Sequence, residues 1–188
     1  TASFMQDRRW AKVKNNFKNV LCGIYEDKKL IAATSVLIRN LGFGLKLMYI
    51  PRGPLMDFTN LELVKCFKEG IYKLAKEEGC YAVTIEPNFC NTELSLKEIT
   101  SKQKVEIPIN YSKDWEEKHN NLTKIGFIHQ GFPKEIDKSY QPRFNMVISL
   151  SDKDNKVLTI DEVTKTFKSK YRYYLGAFHE KRGVYFER

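Results

Sequence analysis

The sequence predicts an α+β fold, a mixed and mostly antiparallel sheet flanked by helices. Three observations carry that expectation. Residues 20–50 hold three apolar stretches separated by short polar or glycine turns, as consecutive antiparallel strands require. Residues 61–78 place Leu61, Val64, Phe67, Ile71, Leu74 and Ala75 at helical spacing. Tyr81-Ala82-Val83-Thr84-Ile85 is a short apolar run halted by Glu86-Pro87, which reads as a buried strand.

Taken in chain order, Trp10-Ala11-Lys12-Val13-Lys14 follows polar Gln6-Asp7 and predicts a short helix with Trp10, Val13 and Phe17 on its apolar side. Strands are expected over 20–26 and 30–39, joined through Asp27-Lys28-Lys29, and over 45–50, where Pro51 ends the third. Asn60 suits the N-cap of the helix over 61–78, because its side chain can accept from a free backbone N–H, and Gly79 suits the stop. Residues 88–113 are polar and irregular, a loop or insertion. A helix is expected over 115–124, a turn over 126–129 and a strand over 144–150, introduced by Gln141-Pro142-Arg143. A long basic amphipathic helix over 159–177 precedes Gly183-Val184-Tyr185-Phe186-Glu187, the start of a last strand. Antiparallel strands followed by a helix and a further strand are the layout of GNAT-type acyltransferases.

The chain's 188 residues suit one domain, or one domain and the start of another, and 42% hydrophobic content suffices for a core. Basic side chains number 32 against 23 acidic, a formal charge of +9, which favours an anionic partner: nucleotide, nucleic acid or anionic lipid. The excess is dispersed, and runs such as 165–172 read as solvated helix faces. Cys22, Cys66, Cys80 and Cys90 form no Cys-x-x-Cys pair and lie in or beside apolar segments, so they read as reduced, buried thiols of a cytosolic protein. No segment approaches the roughly 18 apolar residues that span a bilayer, and no signal sequence opens the chain. The start at Thr1, without an initiator methionine, suggests a piece of a longer protein.

The most distinctive segment is Tyr49-Ile50-Pro51-Arg52-Gly53-Pro54-Leu55-Met56-Asp57, where prolines bracket one arginine. Pro51 and Pro54 push Ile50 and Gly53 toward extended geometry and stop the strand. Arg52 on such a stiff turn reads equally as a solvated strand-end residue and as an anion-binding group whose planar fork suits phosphate or carboxylate. Arg39-Asn40-Leu41-Gly42-Phe43-Gly44 looks like a pyrophosphate loop. It joins two strands, however, rather than leading into a helix N-terminus, and reads as a simple glycine turn. Glu86, at the carboxyl end of a strand and stiffened by Pro87, is either solvated or placed to accept a proton from an amine or hold an ammonium group. His119, His129 and His179 lack metal spacing, and nothing suggests a Ser/His/Asp triad.

Trp10 to Lys14, the 49–57 stretch, Ile85-Glu86-Pro87, Gln141-Pro142-Arg143-Phe144-Asn145-Met146, and Lys170-Tyr171-Arg172 ahead of Gly183-Val184 together resemble the Fem family (FemABX). These are the aminoacyl-tRNA-dependent transferases of peptidoglycan cross-bridge synthesis. The resemblance implies an enzyme of two GNAT-like subdomains, of which this chain is similar to the first half. Residues 1–150 would form the precursor-binding subdomain, and 151–188 the connecting basic helix and first strand of a truncated second one.

The resemblance further implies transfer of an amino acid from charged tRNA to the stem-peptide amine of a UDP-linked or lipid-linked muramyl pentapeptide. No metal or other cofactor is implied; aminoacyl-tRNA is the co-substrate. Lys14 matches a lysine contacting the precursor diphosphate, Tyr81 and Glu86 match residues beside the acceptor peptide, and Arg52 matches a cationic position. Glu86 replaces a frequent aspartate, leaving it between general base and amine-positioning group. A cytoplasmic location, with peripheral contact at the inner face of an anionic membrane, goes with this reading. Two other readings stand beside it: an acyl-CoA N-acyltransferase acting on a small amine, and a non-catalytic basic module for RNA or lipid.

Overall fold

The computed structural model describes residues 3–89, 113–131 and 147–181, with Ser95, Lys97 and Gln141; side-chain surroundings are described through 175. By internal packing the chain divides into two units, Thr1–Gln141 and Pro142–Arg188.

The first unit opens with a 3-10 turn, Phe4–Gln6, and helix α1, Arg8–Val13, whose N-cap Asp7 accepts from the Arg9 amide at 2.7 Å. Strands β1 (Lys18–Glu26), β2 (Lys29–Gly42) and β3 (Leu45–Ile50) follow. Helix α2 (Leu61–Glu78) then crosses over to β4 (Cys80–Ile85). Sheet order is β1-β2-β3-β4; the first two pairings are antiparallel, and β3 with β4 is parallel. The parallel pair follows from α2, since such a pairing needs a long crossover and an 18-residue helix supplies one.

Alternation along the strands decides which side chains meet α2. Val36, Ile38, Met48 and Ile50 are buried with Phe67, Ile71 and Ala75 of α2, and Val20, Cys22, Ile24, Val83 and Ile85 pack at the margin. Asn60 accepts from the Leu63 amide at 3.0 Å and Gly79 closes the helix at φ 69°, as the sequence predicts. Helix α3 (Lys113–Lys124) is pinned beside the start of α2 by Asn121, whose buried amide donates to Phe58 O at 2.9 Å and Thr59 O at 3.0 Å. Phe58, Val64 and Ile125 form a second small core there.

The second unit holds α4 (Ile160–Lys165), with a capping box between Thr159 and Glu162, and α5 (Ser169–Lys181).

Several expectations need correction. The helix expected over 159–177 is two helices: i−3 bonds from Thr166 N to Val163 O and from Phe167 N to Thr164 O close α4 before Ser169 restarts. No strand runs through 147–150; just beyond it the backbone makes the isolated bridge Ser151–Val157, and Leu150 O accepts from the Leu158 amide at 2.9 Å. The rest of that expected strand, the final strand at 183–187 and most of the irregular stretch 88–113 lie outside the described residues. Helix α1 ends at Val13, which is 65% exposed, so Trp10, Val13 and Phe17 form no buried stripe. Trp10 instead meets Phe4 edge-on, ring centres 5.0 Å apart. The thiols are less buried than expected: Cys66 is exposed and Cys22 and Cys80 half-buried, while Cys90 is outside the described residues.

Because Ile50 is fully buried at the end of the central strand, Ile50→Ala should destabilise the protein by about 2–5 kcal/mol in urea denaturation.

Candidate functional site

The carboxyl ends of β3 and β4 lie side by side. Tyr49 is opposite Thr84 and Ile50 opposite Ile85, and the Glu86 amide extends the pairing by donating to Ile50 O at 3.0 Å. Each strand is then stopped by a proline, Pro51 or Pro87, because neither can donate the next ladder bond. Two rigid exits therefore leave the sheet at one place.

Gln6, 45 residues away in sequence, fixes the first exit. Its carboxamide donates to Pro51 O at 2.5 Å, while its oxygen accepts from the Ser35 amide at 2.8 Å and the Thr34 hydroxyl at 3.3 Å. A side chain at Gly53 would place its Cβ 2.6 Å from that carboxamide, so only glycine lets the turn close over Gln6 without breaking its bonds. Beyond the turn, Leu55 exchanges two hydrogen bonds with Ala33, of 3.0 and 2.9 Å. Held on both sides, Arg52 adopts φ 50°, a left-handed backbone that costs a non-glycine residue about 1–2 kcal/mol. The expected stiffness is present, but its source is Gln6 and the Ala33 bridge as much as the prolines.

On the face of the sheet opposite α2, the Tyr49 hydroxyl donates to Glu86 Oε2 and accepts from Gln141 Nε2 at 3.4 Å. Arg52 Nη1 donates to Asn88 Oδ1 at 3.5 Å. Burial first, and then the carboxylate partner, push the Tyr49 phenol well above its ordinary value, so it remains a donor across neutral pH. One oxygen of Glu86 is thus occupied by a neutral donor. A carboxylate held in this way can take a cationic amine on its other oxygen, close to the Arg52 guanidinium.

The structure brings Arg52 and Glu86 to one place through Tyr49 and Asn88. Lys14 and Tyr81 are elsewhere in their bonding: Lys14 Nζ lies 5.3 Å from the centre of the Trp10 ring, and Tyr81, 62% exposed, is the second residue of β4, toward the end opposite Glu86. Among the described residues no hydrogen bond or ion pair joins either to Glu86 or Arg52. Gln6, Tyr49, Asn88 and Gln141 complete the site; Tyr49 and Gln141 lie in segments the sequence marks, but none of the four stands out there as a site residue. A signal for Tyr49 was present: alternation opposes it to Met48 and Ile50, and the same alternation from Val83 and Ile85 puts Glu86 on its side. Nothing local marks Gln6. Among the described residues no His, Cys, Asp or Glu cluster could hold a metal ion, and no helix is long and apolar enough to cross a membrane.

Comparison with known proteins gives this geometry its context. The family model of the FemAB family matches residues 1–180. Aminoacyltransferase FemA of Staphylococcus aureus (strain bovine RF122 / ET3-1) is 30% identical over 155 residues, covering 82% of this chain and 34% of that protein. Aminoacyltransferase FemA of Staphylococcus epidermidis is 31% identical over 152 residues, covering 78% and 34%. The crystal structure of FemX superposes with a TM-score of 0.68 at 21% identity over 96% of this chain and 39% of that one, so the two share the GNAT-like α+β fold. The chain spans about a third of the length of the relatives it matches.

Tyr49 supplies a pH test of the site. Its phenol titrates above the ordinary value of 10.0 when folded, so the stability this contributes is complete below about pH 10 and is lost as pH climbs toward the folded value. Urea midpoints should fall with rising alkalinity more steeply for the wild type than for Tyr49→Phe; parallel curves would remove the Tyr49–Glu86 pair from the account.

Proposed function

We propose that this chain, which belongs to the FemAB family, is the precursor-binding half of an aminoacyltransferase of peptidoglycan cross-bridge synthesis. The donor is aminoacyl-tRNA and the acceptor is the stem-peptide amine of a UDP-linked or lipid-linked muramyl pentapeptide. The observation that carries the reading is the pairing of an anion and a cation at adjacent strand ends, Glu86 held by Tyr49 beside Arg52 on its clamped turn. The relatives' name, aminoacyltransferase, supports the reaction class.

In this reading the amine attacks the ester carbon joining the amino acid to the tRNA ribose. A tetrahedral oxyanion forms, collapses to the amide and releases the ribose hydroxyl, which takes up a proton as the amine gives one up. Glu86 holds the acceptor amine in line. The hydrogen bond from Tyr49 occupies one oxygen of Glu86 and leaves the other to face the amine. Lys14 supplies a point charge to the precursor diphosphate, and Arg52 and Tyr81 line the acceptor. Such an exchange depends on alignment and oxyanion stabilisation, so it needs no nucleophilic side chain, metal or acetyl-CoA.

We take residues 1–150 as the precursor-binding subdomain and 151–188 as the connecting basic helix and first strand of a second, in a cytoplasmic protein. An acyl-CoA enzyme is the weaker reading. Its supporting glycine segment joins β2 to β3 and leads into no helix that could present free amides to a pyrophosphate.

Titration of the intact protein with UDP-linked muramyl pentapeptide tests the assignment. Lys14→Ala should weaken binding roughly tenfold or more, the loss expected for a charge-assisted contact. Equal affinity of wild type and variant removes Lys14 from the site, and no binding by either contradicts the reading.

A further inference from the structure

At the pole of the sheet opposite Glu86, the β2–β3 hairpin ends in Leu41-Gly42-Phe43-Gly44-Leu45. Phe43 is 105% exposed, Leu41 43% and Leu45 50%, three large apolar side chains grouped at one tip. The tip is built rather than frayed. Gly42, Phe43 and Gly44 all have positive φ, at 88°, 52° and 78°, and the Asn40 side chain accepts from the Gly42 amide at 2.9 Å. Holding a phenylalanine in a left-handed turn with nothing around it costs stability in water. It gains only if the ring has somewhere apolar to go.

The charge pattern says where. Along the two arms of the hairpin, from Lys29 to Ile50, there is no aspartate or glutamate, and the cations toward the tip are Arg39 and Lys46. Arg39 is exposed four residues below Phe43, and Lys46 sits on the other arm. Lys46 donates to Glu78 O at 2.8 Å, and Lys76 lies over the Tyr72 ring at 4.6 Å, which places the end of α2 at this pole too. Among the described residues the last turn of α2 carries Glu77 and Glu78, and Glu78 is already paired with Lys18 at 2.6 Å. Apolar side chains at the tip with cations one step behind match the depth profile of an anionic bilayer surface. Leucine and phenylalanine enter the acyl boundary while arginine and lysine reach the phosphates. An RNA partner would need the cations in the contact itself, and two leucines give it nothing to pair with.

We propose that the β2–β3 hairpin tip is a membrane-docking finger that inserts Leu41, Phe43 and Leu45 into an anionic lipid surface, with Arg39 and Lys46 against the headgroup phosphates. The docking does not depend on the transfer reaction.

Co-sedimentation of the intact protein with phosphatidylglycerol and phosphatidylcholine vesicles tests it, at low and high salt. Binding to the anionic vesicles is expected, weakened by salt, and Phe43→Ser should reduce it about tenfold, the share of one interfacial aromatic. Arg39→Glu should lower binding to phosphatidylglycerol vesicles and leave the weak phosphatidylcholine binding unchanged. Phe43 contacts no core, so Phe43→Ser should keep the wild-type melting temperature, which separates lost docking from misfolding. Absence of vesicle binding, equal binding by Phe43→Ser, or a Phe43-dependent complex with RNA in place of vesicles would overturn the proposal. Hydrogen exchange showing the 41–45 amides protected in the intact protein without lipid would do so as well, since another part of the protein would then be the occupant.

Discussion

The parallel pairing of β3 with β4 is the constraint on which the rest depends. Met48 and Ile50 must face α2 to be buried, and a slip of one residue would drive Tyr49 into the core and expose both of them. That register fixes Tyr49 and Glu86 on the opposite face, at the same height, with the Glu86 amide on Ile50 O. Core packing thereby sets the geometry of the polar site. The hydrogen bond between phenol and carboxylate is its outcome rather than its cause.

What hydrophobic register begins, the Gln6 carboxamide and the Ala33–Leu55 bridge complete. Gln6 ties the initial 3-10 turn to β2 and to the turn after β3 through a single carboxamide, satisfying the buried Ser35 amide in the process. Arg52 is thereby kept in a backbone conformation it would leave if free, and the cost of that strain is carried by the surrounding bonds. A cation fixed in advance loses little freedom on meeting an anion. The same sheet carries a rigid apolar tip at its other pole, so one short strand, Leu45–Ile50, separates two surfaces of opposite character.

Elements governed by local chemistry were legible in the sequence. Helix α2 runs between Asn60 and Gly79 as read, and β3 stops at Pro51 as read, because caps and proline stops act within a turn of where they occur. The α4–α5 break was less legible: residues 159–177 keep helical periodicity, and only the i−3 bonds at Thr166 and Phe167 interrupt it. The site was legible in part. Arg52 and Glu86 stood out by their prolines, whereas the Gln6 clamp joins segments 29 and 45 residues apart and leaves no periodic trace. Tyr49 was concealed in plain view, since an aromatic residue on a strand ordinarily signals core, and here the α2 face was already filled by its neighbours.

The most direct measurement of the account is a transfer assay on the intact protein, supplied with a panel of aminoacyl-tRNAs or with acetyl-CoA and with the muramyl pentapeptide as acceptor. The account predicts a new amide on the stem-peptide amine, formed from at least one charged tRNA and not from acetyl-CoA. Acylation from acetyl-CoA alone, or no tRNA-dependent product with any amino acid, would contradict it.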